Sequence, residues 1–226
     1  MFEELDLLLP EDAFDGPMQM ALDEVLLRQV SLPTLRIYRW VSSCISFGYF
    51  QKHAEVRNTH PLLPLVRRWT GGGIVEHANK LTADLTFSLM IPRGNVVAKL
   101  APSLFYSKLH GALAEGLTRL TQAEIRLAGD QEILSGPSCF SAPARDDLLC
   151  QGRKILGGAQ RRSAGSLLYQ GSLQRVEMSE GALLGDLLAG SLSEQITTTI
   201  LKQAIRADAV ALAESRYSSE AWNARR

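Results

Sequence analysis

The chain is poor in the features that mark the commoner special classes. It has three cysteines, Cys44, Cys139 and Cys150, an odd number at irregular spacing. That argues against a disulfide framework and for a reducing compartment. No Cys-x-x-Cys pair and no Cys/His cluster has metal-ligand spacing, so no structural zinc is expected. Neither sign of charge is in excess: 24 Lys plus Arg stand against 24 Asp plus Glu, which leaves the whole molecule without a bias toward nucleic acid or membrane. No apolar run approaches the ~20 residues that a membrane span needs. The start, Met1-Phe2-Glu3-Glu4-Leu5-Asp6, is acidic and lacks the basic stretch and small-residue cleavage site of a secretory leader. A cytoplasmic protein is expected. Internal repeats and low-complexity linkers are absent too. What remains is ordinary globular material, 46% apolar and 21% charged over 226 residues. That is enough to bury a core without staples, as one generous domain or, at a stretch, two small ones.

Local patterns give an outline. Asp15-Gly16-Pro17 reads as a helix start, and Met18, Ala21, Leu22, Val25 and Leu26 recur at helical spacing behind it. Residues 34–40 alternate, with Leu35 and Ile37 opposite Arg36 and Tyr38. Residues 44–50, 66–68, 85–91, 123–127 and 166–173 are further strand candidates. Ser103 is placed to cap a second helix whose apolar face runs Leu109, Ala112, Leu113, Leu117 and Leu120. Residues 148–156 make a hairpin signal with Gln151-Gly152 at the turn. Beyond Val176 the pattern turns helical. Strands and helices mix without regular βαβ alternation, which predicts an α+β domain with a largely antiparallel sheet.

The densest chemistry lies in Arg67-Arg68-Trp69-Thr70-Gly71-Gly72-Gly73-Ile74-Val75-Glu76-His77. Glycines allow φ > 0 and close backbone approach to a ligand. Bare N–H groups and two guanidinium groups there would converge on something anionic; a plain tight turn is the alternative. A second basic stretch is Gly152-Arg153-Lys154-Ile155-Leu156-Gly157-Gly158-Ala159-Gln160, followed by Arg161 and Arg162.

The first run resembles the hallmark of the lipoate–protein ligase A family, Arg-Arg-x-Ser/Thr-Gly-Gly-Gly-x-Val-x-His, and the second resembles that family's Gly-Arg-Lys-x-x-Gly-Ser-Ala-Gln. The likeness extends from about residue 16 to about 173; the last fifty or so residues match nothing. It implies the fold shared with biotin–protein ligases, a central mixed, largely antiparallel sheet flanked by helices. The chain is then expected to be a single catalytic domain over residues 1–226, helical from about 177, with no accessory C-terminal domain. The resemblance implies that Lys154 reaches an acyl carbonyl, where a cationic donor stabilises developing oxygen charge. Gly136-Pro137-Ser138-Cys139-Phe140-Ser141-Ala142-Pro143 looks like the loop of the cysteine-dependent octanoyltransferases, which makes Cys139 the candidate nucleophile, needing a positive neighbourhood that Lys154 can supply. A buried packing role is the alternative for Cys139, and packing is the favoured reading for Cys150 and Cys44.

Arg67, Arg68, Thr70, Gly71, Gly72, Gly73, His77, Asp147, Gly157, Gly158, Ala159, Gln170 and Gly171 complete the expected site. Three departures from the family stand out: residues 78–84, Gln170 in place of histidine, and Gly158 in place of serine. Asp146 and Asp147 fall where ligases carry an acid that helps hold magnesium or an adenylate; a solvated pair opening a strand is the alternative. Three functions stay open. One is an acyltransferase placing an octanoyl or lipoyl group on a lysine of a lipoyl domain or a glycine-cleavage H-type protein. It would work through a thioester on Cys139, with acyl carrier protein as a donor and no tightly bound cofactor. The others are an ATP- and Mg-dependent lipoate ligase, and an acyl-binding protein without turnover. Biotin remains possible as the acyl group.

Overall fold

Asp15 begins the first long helix as its side chain allows: the carboxylate accepts the N–H of Met18 at 3.0 Å, and Pro17 sits in the first turn, where no N–H is needed. Helix α1 then runs Gly16–Gln29. The computed structural model describes residues 1–9, 12–77, 84–133, 142–175 and 181–225, the last stretch with side chains from 184 onward. Cys139 and most of the altered loop after His77 lie outside the described residues.

The strands are β1 (Glu4–Leu8), β2 (Thr34–Tyr38), β3 (Cys44–Phe47), β4 (Leu65–Arg67), β5 (Val75–His77), β6 (Leu85–Ile91), β7 (Ile125–Leu127), β8 (Leu148–Cys150), β9 (Arg153–Ser163), β10 (Ser166–Leu173) and β11 (Gln195–Thr199). Among the described residues, one sheet has the order β11-β1-β2-β6-β10-β9-β8-β7 and a smaller one the order β4-β3-β5. The large sheet is parallel from β11 through β1 to β2 and antiparallel from β2 onward to β7. This is the mixed, largely antiparallel sheet that the sequence predicts.

Alternation along the central strands decides what each face of that sheet meets. Leu35, Ile37, Phe87, Leu89, Leu167 and Tyr169 belong to one core with Phe105, Leu109, Leu113 and Leu117 of α3 (Pro102–Thr121) and Leu184, Leu188 and Leu192 of α4 (Gly181–Leu192). Arg36, Tyr38, Thr86, Ser88, Gln170 and Ser172 point the other way, toward α1, and are buried as well. The polar half of the β2 alternation is therefore not solvated. A buried arginine needs a partner, and Asp23 of α1 stands 2.7 Å from Arg36. Asp23 also accepts from Tyr38, Ser88 and Gln170.

Three details differ from expectation. Ser103 does not cap α3; Ala101 holds the N-cap position and Pro102 opens the helix. The region after 177 is not purely helical: after α4 the chain adds β11 beside β1, then α5 (Gln203–Leu212), a wider turn over Ala213–Tyr217, and α6 (Glu220–Asn223). Between β3 and β4 lies α2 (His53–Thr59), for which the sequence offers no cap.

Candidate active site

The glycine loop is shaped by its neighbours. Arg68 Nη2 donates to the carbonyls of Gly71 (3.0 Å) and Gly73 (2.7 Å), and Nη1 donates to Ser46 Oγ at 2.7 Å. Gly72 takes φ +85°, a region that disfavours any side chain. A Cβ on Gly48 would stand 2.0 Å from the Gly72 carbonyl oxygen, so two glycines on separate segments make the close approach possible. Thr70 is fastened by donating to Gln170 Oε1 at 2.6 Å, and Gln170 Nε2 donates to Asp23 at 2.7 Å. Loop, central sheet and α1 thus share one buried hydrogen-bond chain.

On the opposite side, the β8–β9 hairpin turns at Gln151-Gly152, both with positive φ (50° and 73°). It brings Lys154 Nζ to 2.6 Å from Asp147 Oδ2, with both side chains almost wholly buried. Asp147 also accepts from the Tyr106 hydroxyl (2.7 Å) and from the N–H of Ala144 (2.7 Å), five residues beyond Cys139. Burial, with Asp147 and Tyr169 nearby, holds the Tyr106 hydroxyl well above its ordinary pKa, so it stays a donor. Lys154 Nζ lies 2.6 Å from where a Cβ on Gly157 would be, which explains glycine at that position.

Between these two halves is a cleft, partly open to solvent, with about 430 Å³ of empty space counted out to its mouth. Gly72 and Val75 line one side, Gly157, Gly158, Ala159 and Gly171 the other, and Met20, Tyr38 and Trp40 close it with apolar surface. Ala159 Cβ lies 3.3 Å from where a Cβ on Gly72 would be, so the two basic runs, some ninety residues apart, meet across it. His77 forms part of the wall. Its Nδ1 donates to Asp84 (2.8 Å), its Nε2 accepts from Ser46 (2.6 Å), and its ring stacks on Trp40 with centroids 3.9 Å apart. Burial pushes the His77 pKa down despite Asp84, so the ring is neutral.

The structure brings together Arg68, Gly72, His77, Gly157, Gly158, Ala159, Gln170 and Gly171 on the cavity wall. Lys154 and Asp147 do not line it; they are buried with Tyr106 behind Gly157, while Thr70, Gly71 and Gly73 hold the loop from behind. It corrects the expectation for Arg67. That guanidinium is fully buried and turned away, donating to the carbonyls of Tyr49, Gln51 and Asn223 and lying over the Phe47 ring. The two arginines therefore do not converge on one anion. His77 is a wall whose ring nitrogens are engaged by protein. Asp147 is not solvated: its oxygens accept from Lys154, Tyr106 and the N–H of Ala144. Among the described residues, no three His, Cys, Asp or Glu side chains are placed to hold a metal.

Arg161 and Arg162 are not a free basic edge; Arg161 lies over Tyr49 and Trp69, and Arg162 donates to Ala98 and Gln160. Cys44 is packing, its thiol pushed up to about 12 chiefly by burial. The wall residues Met20, Tyr38, Trp40, Ser46, Thr86 and Ser172 were not predicted. All but Trp40, which makes an isolated bridge to Phe14 just after β2, sit on a helix or strand, and only the folded register gives them a common face.

A two-faced sheet with a slot between a glycine loop and the β9 and β10 strands defines an α+β domain of the lipoate ligase type. The lipoyl protein ligase A/B catalytic domain matches residues 15–198, and the chain belongs to that family. An octanoyltransferase LipM of Moorella thermoacetica is 35% identical over 178 residues, 74% of this chain and 63% of the relative. The chain spans under two thirds of the length of such curated relatives. Two solved structures share the fold. One is a T. acidophilum protein assigned as a lipoate protein ligase, with bound lipoic acid (TM-score 0.74, 21% identity, 100% of both chains). The other is from an archaeal lipoylation system of Thermoplasma acidophilum, a bipartite lipoate protein ligase with its E2 lipoyl domain (TM-score 0.70, 19% identity, 99% of this chain and 96% of that one).

Proposed function

We propose that this chain is an acyltransferase of lipoate metabolism, moving an octanoyl or lipoyl group onto the target lysine of a lipoyl domain through a thioester on Cys139. The observation that carries the proposal is the apolar cavity between Gly72 and the Gly157–Ala159 stretch, with Lys154 paired to Asp147 just behind Gly157. An aliphatic chain fits the gap between Gly72 and Ala159, and Lys154 behind Gly157 is the cation proposed to reach its carbonyl. The LipM relatives favour transfer over ATP-dependent ligation.

In the first step the Cys139 thiolate attacks the carbonyl of a carrier-bound acyl thioester. The carrier thiolate leaves and takes up a proton, while Lys154 donates to the carbonyl oxygen as charge builds there. In the second step the ε-amine of the acceptor lysine attacks the Cys139 thioester. An amide forms, the carbon–sulfur bond breaks, and the amine proton ends on the Cys139 sulfur. Acyl carrier protein is the proposed donor. A lipoyl domain is the proposed acceptor, as the E2 lipoyl domain accompanies the archaeal relative, with a glycine-cleavage H-type protein as a second acceptor. No tightly bound cofactor takes part. The setting is cytoplasmic, and no described helix is long and apolar enough to cross a membrane.

Incubation with octanoyl-carrier thioester is expected to add one octanoyl mass to the wild-type protein. The adduct should be absent from Cys139→Ala and form at least about a hundredfold more slowly in Lys154→Met, the usual order for a lost oxyanion donor. Failure of the wild type to acquire the mass, with ATP-dependent transfer of free lipoate instead, overturns the proposal in favour of a ligase.

A further inference from the structure

The segment from Tyr217 to Asn223 lies beyond residues 15–198, the part that the family description matches. It nevertheless grips the strand that leads into the glycine loop. Among the described residues, strand β4 is an edge of the small sheet, with β3 on one side only. An edge strand exposes main-chain groups that need partners. At Arg67 the tail supplies them from side chains: Asn223 Oδ1 accepts the Arg67 N–H at 2.8 Å, and Trp222 Nε1 donates to the Arg67 carbonyl at 3.0 Å. The guanidinium is held by the same segment, since Arg67 Nη2 and Nε donate to the Asn223 carbonyl at 2.8 and 3.2 Å.

Asn223 is itself fixed, its amide donating to the carbonyls of Tyr217 (2.7 Å) and Ser219 (3.1 Å). Tyr217 and Arg216 are anchored in turn on the fully buried Glu24 of α1. From Arg67 the chain of contacts runs inward. Arg67 Nη1 holds the carbonyls of Tyr49 and Gln51, Tyr49 N–H donates to the Thr70 carbonyl, and Gly48 packs against Gly71 and Gly72.

We propose that Asn223, assisted by Trp222, is a positioning residue for the acyl cavity: it locks Arg67, and through residues 48–51 it holds the glycine loop in the shape that accepts the acyl chain. This rests on the acyltransferase reading for its substrate, but not for its structural test. A loop that is ordered only part of the time weakens apparent affinity by the fraction of time it is competent and leaves the bound state unchanged.

Asn223→Ala is therefore expected to raise KM for octanoyl-carrier thioester about tenfold with kcat within about twofold. Trp222→Phe keeps the ring against Tyr217 and removes one N–H; it should give a smaller rise of the same kind and serves if the first variant folds poorly. Amide hydrogen exchange across residues 66–75 should quicken in both variants while α3 is unaffected, a readout that needs no substrate. If the wild type transfers no acyl group, the acyltransferase reading fails and the exchange data alone decide this one. Unchanged exchange at 66–75, equal quickening in α3, or a fall in kcat at constant KM overturns it.

Discussion

Gly48 shows how one residue sets the width of the cavity. Nothing in its own sequence context, Phe47-Gly48-Tyr49, distinguishes it from a bend in a strand, and the reason for glycine lies 24 positions away in the Gly72 carbonyl. Both parties to that contact are backbone, so neither can swing aside. Gly48→Ala is expected to destabilise the fold by about 2 kcal/mol, the usual scale of overpacking, and to weaken octanoate binding at least about tenfold by pushing the loop out of register. Calorimetric titration and thermal melting together test this; a variant that binds like the wild type refutes it. The same scale separates what was legible from what was not. Lys154, Gly72 and His77 could be picked from the chain because basic and glycine runs at those spacings are unusual. The inward turn of Arg67 could not, since adjacent arginines look alike until strand pairing sends one toward the slot and the other toward the tail.

At the scale of elements, period and punctuation were enough where an element is long or its turn is distinctive. Helix α1 follows Asp15 and Pro17, β6 and β10 match their predicted bounds, and the β8–β9 hairpin turns at the predicted dipeptide. Some short elements were lost, although the three-residue β4 and β7 fall within stretches the sequence marks as strands. β1, β5 and β11 are three to five residues each, too few for alternation to show, and β1 becomes a strand because its neighbours on both sides pair with it. The hairpin also carries a testable compromise. Gln151 adopts φ 50°, where asparagine is favoured over glutamine in a two-residue turn of this hand. The side chain is exposed. Gln151→Asn should therefore stabilise the protein by about 0.5 kcal/mol and leave acyl transfer unaltered, because the turn contributes no wall residue. Urea denaturation of the two proteins side by side reads the difference, and a lower midpoint for the variant contradicts the account.

The whole molecule is balanced in formal charge, yet it buries ionisable groups on both sides of its main sheet, and this ties its stability to pH. On the α3 side His110 is enclosed, with Nδ1 donating to the Asp146 carbonyl at 2.7 Å and Nε2 accepting from the Tyr169 hydroxyl at 2.6 Å. Burial lowers its pKa to about 4 from 6.5, with Lys154 pushing the same way and Asp147 opposing. His77, on the cavity side, is lowered too, again chiefly by burial. Between those limits the unfolded chain binds the proton that the folded protein refuses, so unfolding gains protons and stability rises with pH. The contribution from His110 is present above pH 6.5 and is lost as pH falls toward about 4, amounting to about 2 kcal/mol by pH 5. Denaturation midpoints should thus drop from pH 7.5 to pH 5 in the wild type. His110→Gln, whose side chain does not titrate, should start less stable because the Tyr169 hydroxyl loses its acceptor geometry, and should fall less over the same range. An identical fall in both proteins would show that His110 is not a source of the pH dependence and would leave His77, the other buried imidazole whose pKa is lowered in the fold, as the group to replace next.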